Sequence, residues 1–125
     1  MPPHILIVED SALVIDALRM LLEGTGHRVS DASCVADAER SVRRDPPDVV
    51  LLDLTLGPED GLALMTSFSG DAQRRPVVVA LTGRDDPETR ERCLAAGCRD
   101  VLVKPIKSRE LGSQIAGWLG ERGAG

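Results

Sequence analysis

The chain has 125 residues, 42% of them hydrophobic and 28% charged, and carries a net charge of -5. That length suits one globular domain with one real core, expected over residues 1–121 with a short tail at 122–125. The acidic balance and the scatter of thirteen arginines give no basic footprint, no apolar run approaches membrane-spanning length, and Glu9 and Asp10 follow MPPHILIV too soon for a signal peptide; direct nucleic-acid binding and membrane insertion are therefore not expected, and the chain reads as cytoplasmic.

In chain order, Ile5 to Val8 reads as a short buried strand that runs into Glu9-Asp10-Ser11. Val14, Leu18, Leu21 and Leu22 then mark one face of a helix closed by Gly24 and Gly26. These glycines do not make a phosphate loop, because neither G-x-G-x-x-G nor G-x-x-x-x-G-K follows a strand. Arg28 to Ser33 is partly polar, as suits a sheet edge, and Val35, Ala38 and Val42 line a short helix before Asp45-Pro46-Pro47.

The next stretch, DVVLLDLTLGPEDG, is the most informative. Val49 to Leu52 form too short and too apolar a run for a surface helix, so they predict a strand buried on both faces, with Asp53 at its end. Gly57-Pro58 is turn chemistry, and Asp60 is the expected N-cap of a helix carrying Leu64, Met65 and Phe68. A loop is expected to begin at Ser69-Gly70-Asp71. Val77 to Leu81 form a strand ending at Thr82-Gly83, and Asp86-Pro87-Glu88 starts a helix that stops near Gly97. Val101 to Val103 make the last strand, ending at Lys104-Pro105. Ser108 is the expected cap of a final helix with Leu111, Ile115, Trp118 and Leu119 on one side, before a frayed tail from Gly120.

Five strands alternating with five helices predict a doubly wound α/β domain: a parallel sheet covered on both faces, with ligands bound where the strands end. At that edge the sequence collects Glu9, Asp10, Asp53, Thr82 and Lys104. Three converging carboxylates need a counter-ion, and a hard cation such as Mg²⁺ takes oxygen ligands and phosphate together. With that charge screened, Asp53 can act as a nucleophile toward phosphorus, beside an ammonium from Lys104 and a hydroxyl from Thr82. Lysine is notable at that position because the chain has only two, and a cation placed without regard to chemistry would more often be arginine here. The three cysteines, Cys34, Cys93 and Cys98, form no C-x-x-C, and His4 and His27 add no ligand cluster, so buried free thiols are expected.

The motifs Ile5-Leu6-Ile7-Val8-Glu9-Asp10, Leu51-Leu52-Asp53-Leu54 with Asp60-Gly61, Leu81-Thr82-Gly83, and Ala96-Gly97 leading to Val103-Lys104-Pro105 follow one another in order at matching strand ends. On these motifs the chain resembles the receiver domain of two-component response regulators over nearly its whole length. The resemblance implies a flavodoxin-like sheet of order 2-1-3-4-5 and a signalling domain rather than an enzyme. Asp53 would accept a phosphoryl group from a histidine kinase or histidine phosphotransfer protein. Asp10, Asp53 and the Thr55 backbone carbonyl, with Glu9 directly or through water, would hold Mg²⁺, and Thr82 and Lys104 would bind the phosphoryl oxygens. The Lys104-Pro105 peptide would be cis, and Thr55 and Arg84 would tune the lifetime of the phosphorylated state.

One position departs from the pattern. Val101 stands where the family commonly carries a Tyr or Phe switch, and a valine cannot swing a ring between buried and exposed positions. This motivates an alternative, a receiver-like module that docks a partner without being switched by phosphorylation. A phosphatase of the haloacid dehalogenase type fits less well, since its D-x-D is here Asp53-Leu54-Thr55. A flavin site lacks an aromatic to stack on the ring.

Overall fold

The apolar segments read from the sequence form one parallel sheet: β1 (His4–Val8), β2 (Arg28–Ala32), β3 (Val49–Asp53), β6 (Val77–Thr82) and β7 (Asp100–Val103). The computed structural model describes residues 2–68 and 75–124, with the side chains at 108 and 121–124 also outside the description. Accordingly, the expected loop start at Ser69-Gly70-Asp71 and the expected Ser108 cap lie outside the described residues. The sheet order is β2-β1-β3-β6-β7, which is the expected 2-1-3-4-5 once only the five sheet strands are counted.

Each central strand is apolar at every position because helices cover both faces. Leu6, Val8, Val50, Leu52, Val78, Ala80 and Val101 point to one side, with Ala38, Leu64, Phe68, Cys93 and Cys98. Ile5, Ile7, Val49, Leu51, Val79 and Leu81 point to the other, with Leu18, Leu22, Leu111, Ile115 and Trp118. Thus α1 (Ala12–Gly24) and α4 (Ser108–Ala124) cover one face, and α2 (Val35–Arg44), a 3-10 helix (Gly61–Phe68) and α3 (Pro87–Ala95) cover the other. The period-two alternation of the strands divides the core in two.

Local signals act largely as their chemistry requires. Ser11 accepts a hydrogen bond from the Val14 amide, and Asp86 accepts one from the Thr89 amide at 2.8 Å, with Pro87 beginning the helix. Gly26 and Gly97 follow α1 and α3 at positive φ.

Four local expectations are corrected. Residues 55–60 form a two-stranded ribbon, β4 (Thr55–Leu56) with β5 (Glu59–Asp60), turning at Gly57-Pro58. Asp60 therefore ends a strand, although its carboxylate still accepts from the Leu62 amide at 3.0 Å. The helix that follows is 3-10, not α; its buried or partly buried residues fall in two rows of three-residue spacing, Gly61 with Leu64, and Leu62 with Met65 and Phe68, as a three-residue turn demands. α4 continues to Ala124, past the Gly120 where fraying was expected. Cys34 is half-buried at the start of α2, unlike Cys93 and Cys98, which are buried.

Candidate functional site

The C-terminal ends of β1, β3, β6 and β7 bring the predicted polar residues to one edge. Glu9 leaves β1 and is only 1% exposed, Asp53 closes β3 and Thr82 closes β6, both buried. Lys104 follows β7, and its backbone amide donates to the Thr82 carbonyl at 2.8 Å. Parallel register sets this: Asp53 lies opposite Leu81, and Thr82 opposite Val103.

Lys104 Nζ donates to Glu9 Oε2 at 2.8 Å and to Asp53 Oδ2 at 3.1 Å. The second Asp53 oxygen, Oδ1, accepts from the Thr55 amide at 2.9 Å. Glu9 Oε1 accepts from the Ser11 amide at 3.2 Å, and Asp10 Oδ2 from the Gly57 amide at 2.8 Å. Glu9, Asp10 and Asp53 each present a carboxylate oxygen within 4.8 Å of the others. An all-oxygen donor set of this kind, part buried and part open, fits a hard divalent cation.

The electrostatics are strained toward cation binding. Burial, and the nearness of Asp53, push the Glu9 carboxyl above the usual carboxylate range against the opposing pull of Lys104. For Lys104, burial disfavours the ammonium, but the hydrogen bonds to Glu9 and Asp53 outweigh it and hold the pKa above the usual lysine value. One positive charge therefore faces three acidic groups.

Thr82 Oγ1 accepts from the Arg84 amide at 3.0 Å, which leaves its hydroxyl hydrogen available to an incoming oxygen. The Arg84 side chain is 82% exposed, with Nε 3.6 Å from Asp86 Oδ2. The Lys104-Pro105 peptide is cis. Val101 is buried in the core between the sheet and the α2/α3 layer, away from the open edge.

Three further residues support the site in roles that the sequence reading does not assign, although it has Gly57 in a turn and Gly61 in a motif. A Cβ on Gly61 would stand 2.0 Å from the Asp53 carbonyl oxygen, so only glycine lets the chain return beneath the end of β3. Its amide donates to the Leu54 carbonyl at 2.8 Å. Gly57, read as a turn residue, adopts a φ of 59° and offers its amide to Asp10. Glu59 Oε1 accepts from the Val35 amide at 3.2 Å, capping α2 where Cys34 gives no side-chain cap. Short-range pattern carries no signal for Glu59, because its partner is 24 residues away.

A model of the response regulator receiver domain matches residues 5–116. The transcriptional regulatory protein PhoP of Escherichia coli is 33% identical over 108 residues, covering 86% of this chain and 48% of the relative. The chain thus spans about half the length of the curated relatives it matches. The receiver domain of a sensor histidine kinase from Pseudomonas aeruginosa, solved with magnesium in its active-site cleft, superposes with a TM-score of 0.84 at 32% identity, over 96% of this chain and 99% of that one. A CheY-like receiver domain from Methanospirillum hungatei reaches 0.90 at 23% identity, over 99% and 98%, a likeness of fold.

Proposed function

The chain belongs to the response regulator receiver domain family, a signalling domain of two-component systems, and within it we propose that Asp53 is the residue that takes the phosphoryl group. The observation that carries this reading is a buried carboxylate at the end of the central strand, 3.1 Å from Lys104 Nζ and grouped with Glu9 and Asp10. An Asp53 oxygen attacks the phosphorus of a phosphohistidine on a kinase or phosphotransfer partner. The new P–O bond forms as the P–N bond breaks, and the imidazole leaves.

Glu9, Asp10, Asp53 and the Thr55 carbonyl are the groups that would hold Mg²⁺, whose charge lets a carboxylate and a phosphoryl group approach one another. Lys104 stands ready to follow the phosphoryl oxygens, since its two present acceptors lie on the site wall. The Thr82 hydroxyl donates to a second oxygen. Thr55 and Arg84 flank the path of hydrolytic water and set how long the acyl phosphate lasts. Residues 1–121 constitute the receiver unit, acting in the cytoplasm; among the described residues, no helix is long and apolar enough to cross a membrane.

Acetyl phosphate with Mg²⁺ should label the intact protein at Asp53, and chelation should abolish labelling. Equal labelling of Asp53→Asn would overturn the assignment. Shift mapping of the labelled protein then locates the output: because Val101 is a buried valine, the expected changes centre on the Thr82 and Lys104 loops rather than on a swinging side chain at β7.

A further inference from the structure

Directly after the ribbon comes a helix of unusual length for its type. Gly61–Phe68 is 3-10 over eight residues, whereas the poorer hydrogen-bond geometry of that form ordinarily limits it to about three or four. Gly61, Leu64, Met65 and Phe68 also fall at the spacing of one α-helical face, i, i+3, i+4 and i+7. The same apolar set can therefore pack against the sheet in either form.

Both ends of the helix are held by contacts from elsewhere. At its head, the ribbon hangs from two carboxylates of the site: Asp53 Oδ1 accepts from the Thr55 amide at 2.9 Å, and Asp10 Oδ2 from the Gly57 amide at 2.8 Å. The ribbon runs straight into Gly61, which packs against the Asp53 carbonyl and donates to the Leu54 carbonyl at 2.8 Å. At its foot, Ser67 Oγ donates to Glu39 Oε2 of α2 at 3.0 Å. That bond belongs to the three-residue turn, in which Ser67 shares the row of Gly61 and Leu64; at the α-helical pitch it would stand about 120° away around the axis. Met65 reaches the turn from α3 to β7, where a Cβ on Gly97 would meet its Cε at 3.4 Å.

We propose that Gly61–Phe68 is the element that reports phosphorylation, passing from 3-10 to α when the site is filled, an inference that rests on Asp53 being the phosphoacceptor. The driving change is a loss of acceptor strength. Esterified to phosphorus, Asp53 has a carbonyl and an ester oxygen in place of an ionised carboxylate, and Asp10 shares its charge with the cation, so both hold the ribbon amides less strongly. The helix, released at its head, takes the form with the better hydrogen bonds. It shortens by about 4 Å, gives up the Ser67 bond to α2 and re-aims Met65. The change thus reaches α2 and the α3–β7 turn without any movement of Val101, which is buried in the same core as Leu64 and Phe68.

The test is NOE spectroscopy on the ¹⁵N,¹³C-labelled full chain, in chelator and with Mg²⁺ and beryllofluoride, which stands in for a phosphoryl group. Contacts from the Hα of residue i to the amide of i+2 mark the 3-10 form, and those to i+4 the α form. The expected result is i+2 contacts through 61–68 in chelator, replaced by i+4 contacts on filling. By linkage, Ser67→Ala, which cuts the bond to α2, should fill at a beryllofluoride concentration about two- to tenfold lower. Glu39→Ala, which cuts the same bond from the other side, should act alike. Contacts to i+4 already present in chelator, i+2 contacts that survive filling, or variants that fill at the wild-type concentration would each overturn the proposal. If acetyl phosphate and Mg²⁺ label Asp53 while 61–68 keep their i+2 contacts, the phosphoacceptor reading stands and this inference alone fails; failure to label overturns both.

Discussion

Lys104 Nζ spans the carboxylates of Glu9 and Asp53, at 2.8 and 3.1 Å, joining the ends of β1 and β3 through one side chain from beyond β7. Its removal leaves two buried acids facing each other without a cation. Lys104→Met should therefore lower stability by about 1–3 kcal/mol, read from the urea midpoint at constant slope. Mg²⁺ should recover part of that loss. A variant with the same midpoint as wild type in chelator would show that the ammonium does not hold the pair.

Gly61 tests the backbone beneath the site. A methyl group there meets the Asp53 carbonyl at 2.0 Å, and neither partner is a flexible side chain that can move aside. Gly61→Ala should cost about 1–3 kcal/mol by overpacking and slow labelling of Asp53 by acetyl phosphate. The matched control is Gly112→Ala, where nothing lies within 4 Å; it should leave labelling unchanged.

The ribbon after β3 ties the site to α2 and α3, the two α-helices on its face. Glu59 caps α2 at the Val35 amide, and Asp60 pairs with Arg92 of α3. Glu59→Ala should reduce stability by about 0.5–1 kcal/mol, as other lost caps do. Amide exchange should quicken first at Val35, because only that end of α2 loses its acceptor.

The thiols separate by environment. Burial, with Cys93 beside it, pushes Cys98 from its ordinary 9.0 up to about 12, and burial raises Cys93 as well. Near neutral pH, iodoacetamide should modify half-buried Cys34 first and reach the other two only on unfolding. Above about pH 9 the unfolded chain gives up protons that native Cys98 keeps, so the unfolded state binds fewer protons and stability falls as pH rises toward 12. Cys98→Ala should remove this part of the pH dependence, checked by urea unfolding at pH 8 and about 10.

Much of the molecule is legible in the order of its residues. Runs such as Val49 to Leu52 and Val77 to Leu81 are apolar at every position because both sheet faces are covered, and a polar residue ending such a run must lie at the sheet edge. Asp53, Thr82 and Lys104 could therefore be placed by counting along strands, and the alternation of elements set the parallel order. Caps such as Asp86, with Pro87 behind it, are written within four residues of chain.

Relations between distant segments belong to the tertiary structure alone. The three-residue rows of the 3-10 helix and the three- and four-residue spacing of an α-helix place Leu64, Met65 and Phe68 alike, so packing decided between them. Gly61 is obligatory only because the Asp53 carbonyl lies under it, and Glu59 caps a helix whose start is far behind it in the chain. Composition and spacing could name the acids, the hydroxyl and the lysine of the site. That one ammonium bridges Glu9 and Asp53 while Asp10 is held by the Gly57 amide depends on the register of four parallel strands, which hydrogen bonding fixes only when the whole sheet has formed.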